Sequence, residues 1–332
     1  MDESRRRTVL VTGANSGLGY EASAQFAEAG WERVILACRT EAKAEVARAQ
    51  LVKRSGVDPF ATLAVDTSEV ESANAACDQL RVRKERIDFL LLNAGATGAE
   101  PKFNSDGVEI TWASTLVGHH VMAMRTLADG LLTERAGIVI AGSEGARGNL
   151  PGMKVHDIAA VAADSFDGDL VQAIDALARL NGPFDYVSFD EYVTAKLVVA
   201  WWAAALARRV PGGIRVNAVS PGSAPASGFG RDAPVLMRTV MMPLMKLIGP
   251  LVGMAGSIEA AARRYVEAAE FADDQSGHFY ATADRKKLVG AMGIQRWPEY
   301  FTNELSQEAG FAAVERLTGV AFPEDLSHYR SR

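Results

Sequence analysis

The sequence predicts an α/β fold, a doubly wound parallel sheet with helices on both faces. Two observations support this expectation. Strand and helix signals alternate along the first two-thirds of the chain at the spacing of β-α-β units. Several strand segments are apolar at successive positions, as is typical of parallel strands covered on both faces, and they include the runs RVILA, DFLLL and GIVIA.

The predicted elements follow one another without a linker, an internal repeat or a low-complexity tract. Strands are expected at 8–12, 33–38, 62–65, 89–92, 138–141 and 214–219. Helices are expected at 19–29, 40–54, 69–83, 108–132 and 192–209. We therefore expect one domain over residues 1–332.

Three segments depart from this alternation. An insertion at about 144–185 precedes the helix at 192–209, and within it 169–180 has the apolar spacing of a helix. The segment at about 224–256 is rich in Met, Pro, Leu and Gly, and it lies where a fold of this class places a helical lid. Residues at about 285–332 form a C-terminal extension.

The composition limits the classes of partner and compartment. The chain has 332 residues and a formal net charge of −6, which argues against a nucleic-acid-binding surface. Its two cysteines are too few for a disulfide framework, which fits a reducing cytoplasm. The five histidines show no metal-ligand spacing, so we expect no metal site.

No segment is expected to span a membrane. The N-terminal apolar stretch at 9–11 is too short for the core of a signal peptide. Residues 234–256 are very apolar, but charged residues and prolines interrupt them. This segment would form an adaptable apolar wall for a substrate, pack as ordinary core, make a subunit contact, or make a peripheral membrane contact. It contains Met237, Met241, Met242, Met245 and Met254.

A glycine-rich loop, TGANSGLG at 12–19, follows the first strand and opens the first helix. Glycines allow a tight turn and a close approach of the backbone to a pyrophosphate, whose charge then faces the free N–H groups of the helix N-terminus. A plain tight turn is the alternative, but the position at the first strand–helix junction favours a Rossmann-type dinucleotide site. The candidate cofactor-binding residues are Gly13, Asn15, Ser16, Gly17, Leu18 and Gly19.

The end of the second strand predicts which dinucleotide is bound. An NAD-dependent protein usually has an acid there for the ribose hydroxyls, whereas this chain has Arg39. A guanidinium suits a 2′-phosphate, and Lys43, one helical turn later, adds a second positive charge. A solvated pair of surface cations is the alternative, but the pattern favours NADP(H).

Two further strand ends carry candidate cofactor contacts. Asp66 and Thr67 close the third strand, where they either accept a hydrogen bond from the adenine amino group or cap the next helix. Asn93, Ala94 and Gly95 close the fourth strand with small residues, which would let the backbone lie close to the cofactor. Taken alone, this second run is only a turn.

The candidate reacting groups are Tyr192 and Lys196, which are four residues apart on a predicted helix and therefore share a face. A phenol with a pKa near ~10 is a poor proton-transfer group at neutral pH unless a cation favours the phenolate, and Lys196 would supply that cation. Ser143 ends a strand upstream, where its hydroxyl would hydrogen-bond a substrate oxygen or serve as a simple cap.

Taken in order, these motifs resemble the short-chain dehydrogenase/reductase superfamily over about residues 7–225. The resemblance implies that Ser143 polarises the substrate oxygen, that Tyr192 is the general acid/base, and that Lys196 activates Tyr192 and holds a ribose hydroxyl. It further implies hydride transfer between a nicotinamide and a substrate carbon.

The same resemblance implies that Pro221 and Gly222 approach the nicotinamide. The runs LACRT, LLNAG and GHH look like the protochlorophyllide oxidoreductase and retinol dehydrogenase branch, and the insertion and the ending FTNELSQEA look like the protochlorophyllide enzymes. Two residues depart from the pattern. Thr115 stands where the family usually has an Asn that helps to hold a water of the proton relay, and Ser223 stands where protochlorophyllide enzymes have a Cys.

These features predict an NADP-dependent enzyme for a bulky apolar carbonyl, alcohol or unsaturated substrate. Two alternatives stay open: a cofactor-binding sensor or structural protein with impaired catalysis, which Thr115 alone favours, and a protochlorophyllide reductase. The chain is expected to be a monomer or a homodimer. The helices at 108–132 and 192–209 would pair across a dimer as in many relatives, unless the insertion blocks them.

Overall fold

A computed structural model describes residues 7–182, 184–224 and 253–329, and within these ranges eight strands form one sheet. The strands are β1 (Thr8–Thr12), β2 (Arg33–Cys38), β3 (Phe60–Ala64), β4 (Ile87–Leu92), β5 (Leu132–Ala141), β6 (Arg215–Val219), β7 (Phe279–Thr282) and β8 (Met292–Ile294). Their spatial order is β3-β2-β1-β4-β5-β6-β7-β8, with parallel pairing up to β7 and an antiparallel β8 at the edge.

Helices connect the strands and cover both faces of the sheet. They are α1 (Gly17–Glu28), α2 (Glu41–Ser55), α3 (Val70–Val82), α4 (Ile110–Trp112), α5 (Gly118–Ala128), α6 (Ile158–Ser165), α7 (Leu170–Arg179), α8 (Ser188–Ala207), α9 (Ile258–Ala269) and α10 (Glu304–Thr318). One apolar core contains side chains of α3, α5, α7, α8 and α10, and a second, on the other face, contains side chains of α1, α2 and α9. The predicted doubly wound α/β fold is confirmed.

The strand order creates a crevice at the carboxyl ends of β1 and β4. The chain runs outward from β1 through β2 to β3, and then returns to the other side of β1 as β4. In open α/β sheets, ligands bind in the crevice outside the strand ends at such a reversal. The predicted glycine loop follows β1 and therefore lies at this crevice.

The predicted helix at 108–132 is wrong in its extent and its regularity. A π-helical segment, Ala113–Val117, separates α4 from α5, and a left-handed Gly130 follows the end of α5. β5 begins as early as Leu132, because its first residues pair with β4 although two of them are exposed. The apolar spacing alone did not reveal the turn between α5 and β5. Apart from this region, the predicted strands and helices agree with the structure to within a few residues.

The insertion is ordered around two helices. A 3₁₀ turn at Glu144–Arg147 is followed by α6 and α7, and α7 confirms the helix expected at 169–180. Most of the segment predicted as a lid, 225–252, lies outside the described residues, as does most of the predicted membrane contact at 234–256. None of the helices in the described ranges is long and apolar enough to cross a membrane.

The C-terminal extension covers α8. The Trp201 indole donates a hydrogen bond to the carbonyl oxygen of Tyr300 at 2.6 Å. Gly310 of α10 packs against the same indole so closely that a Cβ at this position would lie 3.1 Å from Trp201 Cβ. The side of α8 that carries Trp201 is therefore covered by the C-terminal part of the chain.

A buried imidazole fixes this packing. The Trp202 indole donates to His120 Nδ1 at 2.9 Å, so the imidazole proton is on Nε2, which lies 2.8 Å from the carbonyl oxygen of Val320. His120 is fully buried, and burial lowers its pKa to about 4. The neutral ring thus connects α5, α8 and the chain after α10.

We expect this histidine to make the fold sensitive to mild acid. The folded state keeps His120 neutral down to a pH near its lowered pKa, whereas the unfolded chain takes up a proton below about pH 6.5. The stabilisation is therefore complete above pH 6.5 and is lost as the pH falls, by at most about 1.4 kcal/mol per pH unit. Urea midpoints at several values between pH 5 and 7 measure this dependence.

His120→Gln keeps one acceptor and one donor but removes the titration, so its stability should vary less with pH. The exposed His328, which also bonds a main-chain carbonyl, provides the matched control His328→Gln. Equal pH dependence in the His120→Gln variant and the unmodified protein would contradict the assignment.

Candidate active site

The glycine-rich loop has the shape that a phosphate site requires. Gly13 and Gly17 have φ values of +68° and +58°, a region that side chains other than glycine rarely adopt. A Cβ on Gly19 would lie 2.5 Å from the carbonyl oxygen of Gly13. The first turn of α1 has no acidic residue and, within the described chain, no side-chain cap. Its N–H groups therefore suit the pyrophosphate of a dinucleotide.

The hydroxyl of Thr12 joins the end of β1 to the end of β4 and to α5. The N–H groups of Asn93 and Ala94 donate to Thr12 Oγ1 at 2.8 and 2.9 Å. His119 Nε2 lies 2.9 Å from the same oxygen, and His119 Nδ1 lies 2.9 Å from the carbonyl oxygen of Thr115. Because a carbonyl only accepts, Nδ1 carries the imidazole proton and Thr12 donates to Nε2.

His119 is held in this neutral form by its surroundings. It is fully buried, and burial together with the nearby charge of Lys196 lowers its pKa to about 3. Lys196 bonds Ala141 at the end of β5, and Thr12 ends β1, so the predicted catalytic helix and the glycine loop lie at the same edge of the sheet. Neither Thr12 nor His119 was among the candidate site residues. Thr12 had the signal of a polar residue at the end of an apolar strand, and His119 lies within the GHH run.

The residues predicted to read the adenosine end lie at the carboxyl ends of β2 and β3. Arg39 Nε lies 3.2 Å from Asp66 Oδ2, and Lys43 is exposed in the first turn of α2. The other oxygen of Asp66 accepts hydrogen bonds from the amide and the hydroxyl of Ser68. Asp66 therefore closes a local turn, and the N-cap of α3 is Glu69.

Thr67 is engaged with the π-helical segment and α5. Its carbonyl oxygen accepts a hydrogen bond from Gly118 N at 2.9 Å, and its hydroxyl donates to the carbonyl oxygen of Ser114. A Cβ on Gly118 would lie 2.5 Å from the Thr67 carbonyl oxygen, so this close approach requires glycine. A contact of Thr67 with adenine stays a prediction.

Ser143, Tyr192 and Lys196 are brought together at the end of β5. The Ser143 hydroxyl hydrogen-bonds with the Tyr192 phenol, and it also accepts a hydrogen bond from Gly145 N at 3.1 Å. The structure thus shows Ser143 as a cap, and its hydrogen bond to a substrate oxygen stays a prediction. Lys196 Nζ lies 5.8 Å from the centre of the Tyr192 ring.

Burial governs the ionisation of both groups, and the activation of Tyr192 by Lys196 stays a prediction. Burial raises the pKa of Tyr192 to about 12, and the Ser143 hydrogen bond lowers it only in part. Lys196 donates to the carbonyl oxygen of Ala141 at 2.7 Å. Burial lowers the pKa of Lys196 to about 7.

The two departures from the family pattern also lie at this edge. Thr115 is within the π-helical segment, 1% exposed, and its hydroxyl has no hydrogen-bond partner among the described residues. A Cβ on Gly95 would lie 3.6 Å from this hydroxyl. Pro221, Gly222 and Ser223 follow β6, and Ser223 N donates to the carbonyl oxygen of Leu288 at 3.1 Å.

A buried carboxylate directly after Ser143 escaped the sequence analysis. Glu144 is 4% exposed and faces Arg264 of α9 at 3.1 Å. A lone acid between Gly-Ser and Gly-Ala at the end of an apolar strand was its only signal.

Among the described residues, no group of three or more His, Cys, Asp or Glu side chains is placed to hold a metal ion.

Comparison with known proteins identifies the family. The model of the short chain dehydrogenase family matches residues 7–166. The short chain dehydrogenase sol3 of Alternaria solani is 31% identical over 228 residues, which cover 69% of this chain and 75% of that protein. The chain belongs to the short-chain dehydrogenase family. The predicted superfamily and the assignment as an oxidoreductase are thereby confirmed.

Other relatives support the predicted branch of this family. The chloroplastic protochlorophyllide reductase of Marchantia paleacea is 26% identical over 337 residues, or 95% of this chain and 68% of that protein. Human (Homo sapiens) retinol dehydrogenase 14 is 28% identical over 305 residues, or 85% of this chain and 80% of that protein. The structure of an actinorhodin polyketide ketoreductase with NADPH shares the fold, with a TM-score of 0.60, 19% identity, and coverage of 84% of this chain and 96% of that one.

Proposed function

We propose that this short-chain dehydrogenase is an NADP(H)-dependent reductase or dehydrogenase for a bulky apolar substrate, with Tyr192 as the general acid/base. The observation that carries the proposal is the hydrogen-bonded pair of Ser143 and Tyr192. This pair lies at the carboxyl edge of the sheet, where the glycine loop follows β1. The chemistry that NADP(H) supplies when bound is hydride transfer to or from a substrate carbon. The prediction of a single domain and of a cytoplasmic location fits this function and stays a prediction.

The protein's own groups handle the proton and the substrate oxygen. In the direction of reduction, Ser143 would hold that oxygen while the Tyr192 phenol, protonated at neutral pH, gives it a proton. Lys196 would then stabilise the phenolate that is left, because a cation near the ring favours the charged form. Gly13 to Gly19 would hold the pyrophosphate, and the small residues Asn93 to Gly95 would let the cofactor lie against the backbone.

A bulky substrate is supported by the relatives and by composition. The segment at 224–256 is apolar and rich in methionine, as suits a pocket for a large apolar molecule. The names of relatives include retinol and protochlorophyllide, both of which are large and mostly apolar. Small polar ketones would bury little of such a surface and should be poor substrates.

We expect NADPH to bind more tightly than NADH, because the Arg39 guanidinium, held beside Asp66, can meet the 2′-phosphate. Arg39→Ala should weaken NADPH binding by about 1–3 kcal/mol while leaving NADH binding nearly unchanged. Titrations with NADPH and with NADH, each followed by the fluorescence of its reduced nicotinamide, measure the two dissociation constants. Arg48→Ala is the matched control, since Arg48 is an ion-paired arginine further along α2. Equal dissociation constants for the two nucleotides in the unmodified protein would remove the preference.

Replacing the phenol should separate proton transfer from binding. Tyr192→Phe is expected to lower turnover of all-trans-retinal by at least about 10²-fold and to leave the NADPH dissociation constant nearly unchanged. Lys196→Ala should damage both, because the ammonium is also predicted to reach the ribose. Tyr186→Phe, which removes a phenol bonded to the carbonyl oxygen of Gly98, is the control. Substantial turnover by the Tyr192→Phe variant would show that another group is the acid.

A protochlorophyllide reductase is the second candidate, and the match to such an enzyme over 95% of this chain and 68% of that protein favours it. We nevertheless expect no efficient photoenzyme. Ser223 stands where those enzymes have a thiol, and a hydroxyl is a far weaker acid than a thiol of pKa ~8.5. Thr115 also replaces the expected relay Asn. Protochlorophyllide with NADPH should therefore react no faster under illumination than in the dark, and rapid light-dependent conversion would overturn this expectation.

An impaired sensor is the remaining alternative, which Thr115 in place of the relay Asn favours, since its hydroxyl has no partner among the described residues. NADPH binding without NADPH oxidation across a panel of bulky carbonyl compounds would support the sensor. Oxidation with any of them supports the enzyme.

A further inference from the structure

A buried carboxylate lies between the reacting groups and the strands behind them. Glu144 Oε1 accepts hydrogen bonds from Arg264 Nη1 at 3.1 Å and from Thr282 N and Oγ1 at 3.0 and 2.9 Å. Glu144 Oε2 accepts a hydrogen bond from the Ser220 hydroxyl. One side chain adjacent in sequence to Ser143 therefore connects the ends of β5, β6 and β7 with α9.

Arg264 completes the connection on the side of the Pro-Gly turn. Its guanidinium also donates to the carbonyl oxygens of Ser220 and Gly290, both at 2.9 Å. The φ of Gly222 is +81°, and a Cβ there would lie 3.1 Å from Arg264 Nη1. Gly222 N donates to Ser220 Oγ, the same hydroxyl that bonds Glu144. The turn predicted to approach the nicotinamide thus rests directly on the ion pair.

We propose that Glu144, held by Arg264, is a positioning residue of the reaction, which fixes Ser143 against the Pro221–Gly222 turn and sets the charge behind Tyr192. This inference rests on the proposed function of Ser143 and Tyr192. Mere stability is a weak explanation for the pair, because the desolvation of two buried charges offsets most of their attraction. The position of the pair, one residue from Ser143, gives it a catalytic consequence.

The charged and titratable groups around Tyr192 come from three elements. Glu144 comes from the turn after β5, Lys196 from α8 itself, and Tyr265 from α9. Burial and then the charge of Glu144 raise the pKa of the Tyr192 phenol, while the Ser143 hydrogen bond lowers it. The Tyr265 hydroxyl is buried, has no partner within the described chain, and its own pKa is raised by burial and by Tyr192. Glu144 is thus the negative charge that acts on the phenol, and Arg264 is its counter-charge.

The proposal predicts pH shifts of opposite sign for the two partners. Glu144→Gln keeps a side chain of similar shape but removes the negative charge, so the Tyr192 phenol should ionise at a pH lower by on the order of one unit. Arg264→Gln leaves the carboxylate without its counter-charge, so the phenol should ionise at a higher pH. Reduction needs the protonated phenol. The alkaline fall of kcat/KM should therefore move to lower pH in Glu144→Gln and to higher pH in Arg264→Gln.

Two measurements test the proposal, and the second of them does not depend on the proposed function. The first is the pH profile of kcat/KM with NADPH and all-trans-retinal. The second is tyrosinate absorbance in the cofactor-free protein, taken as the difference between each protein and its counterpart that also carries Tyr192→Phe. This difference reports one phenol among the seven tyrosines of the chain. If retinal is not turned over, the proposed substrate class fails, and the absorbance titration still tests Glu144.

The control is Glu21→Gln, which removes another buried carboxylate paired with an arginine. Glu21 is on α1, and its partner Arg54 is on α2. It should lower the melting temperature without moving either titration. Glu144→Asp, which keeps the charge on a shorter side chain, should keep the pH profile and lower kcat. The expected result is a downward shift for Glu144→Gln and an upward shift for Arg264→Gln. Loss of stability in both variants with no shift in the pH of phenol ionisation would overturn the proposal.

Discussion

The hydroxyl of Thr12 is the interaction on which the active edge of the sheet depends. It accepts two main-chain N–H groups from the end of β4 and donates to His119, so its hydrogen-bonding capacity is used in full. Each bond crosses between elements that are distant in sequence. Removing the hydroxyl would leave the half-buried amides of Asn93 and Ala94 without this acceptor, and the penalty for each is at most that of a fully buried group, about 1–3 kcal/mol. The glycine loop, the small residues after β4 and α5 are thereby held in one arrangement.

Burial then decides the electrostatics of the site built on this edge. Tyr192 and Lys196 are both shifted toward their neutral forms, the phenol to a pKa of about 12 and the ammonium to about 7. The uncharged phenol is the form that a reductase needs at neutral pH, because it must give a proton to the substrate oxygen. The buried ion pair of Glu144 and Arg264 lies behind this site, and the charge of Glu144 contributes to the raised pKa of the phenol.

Sequence patterns predicted the elements that carry local signals. The glycine loop, Arg39 and the four-residue spacing of Tyr192 and Lys196 could be read directly, because each requires particular residue types at fixed positions. The contacts that unite them could not. His119 and Glu144 act through partners more than 70 residues away in the chain, and such partners appear only once the strand order is known. The π-helical segment was missed for a different reason, because its apolar spacing resembles that of a regular helix.

The central claim is that the glycine loop and the Ser143–Tyr192 centre serve one cofactor. Hydrogen–deuterium exchange with and without NADPH tests it most directly, because the loops concerned are separate in sequence and give separate peptides. Protection is predicted together at 13–19, 93–98 and 142–148, with no change at 56–60 on the opposite edge of the sheet. Protection confined to the glycine loop, with unchanged exchange around Ser143, would contradict the account.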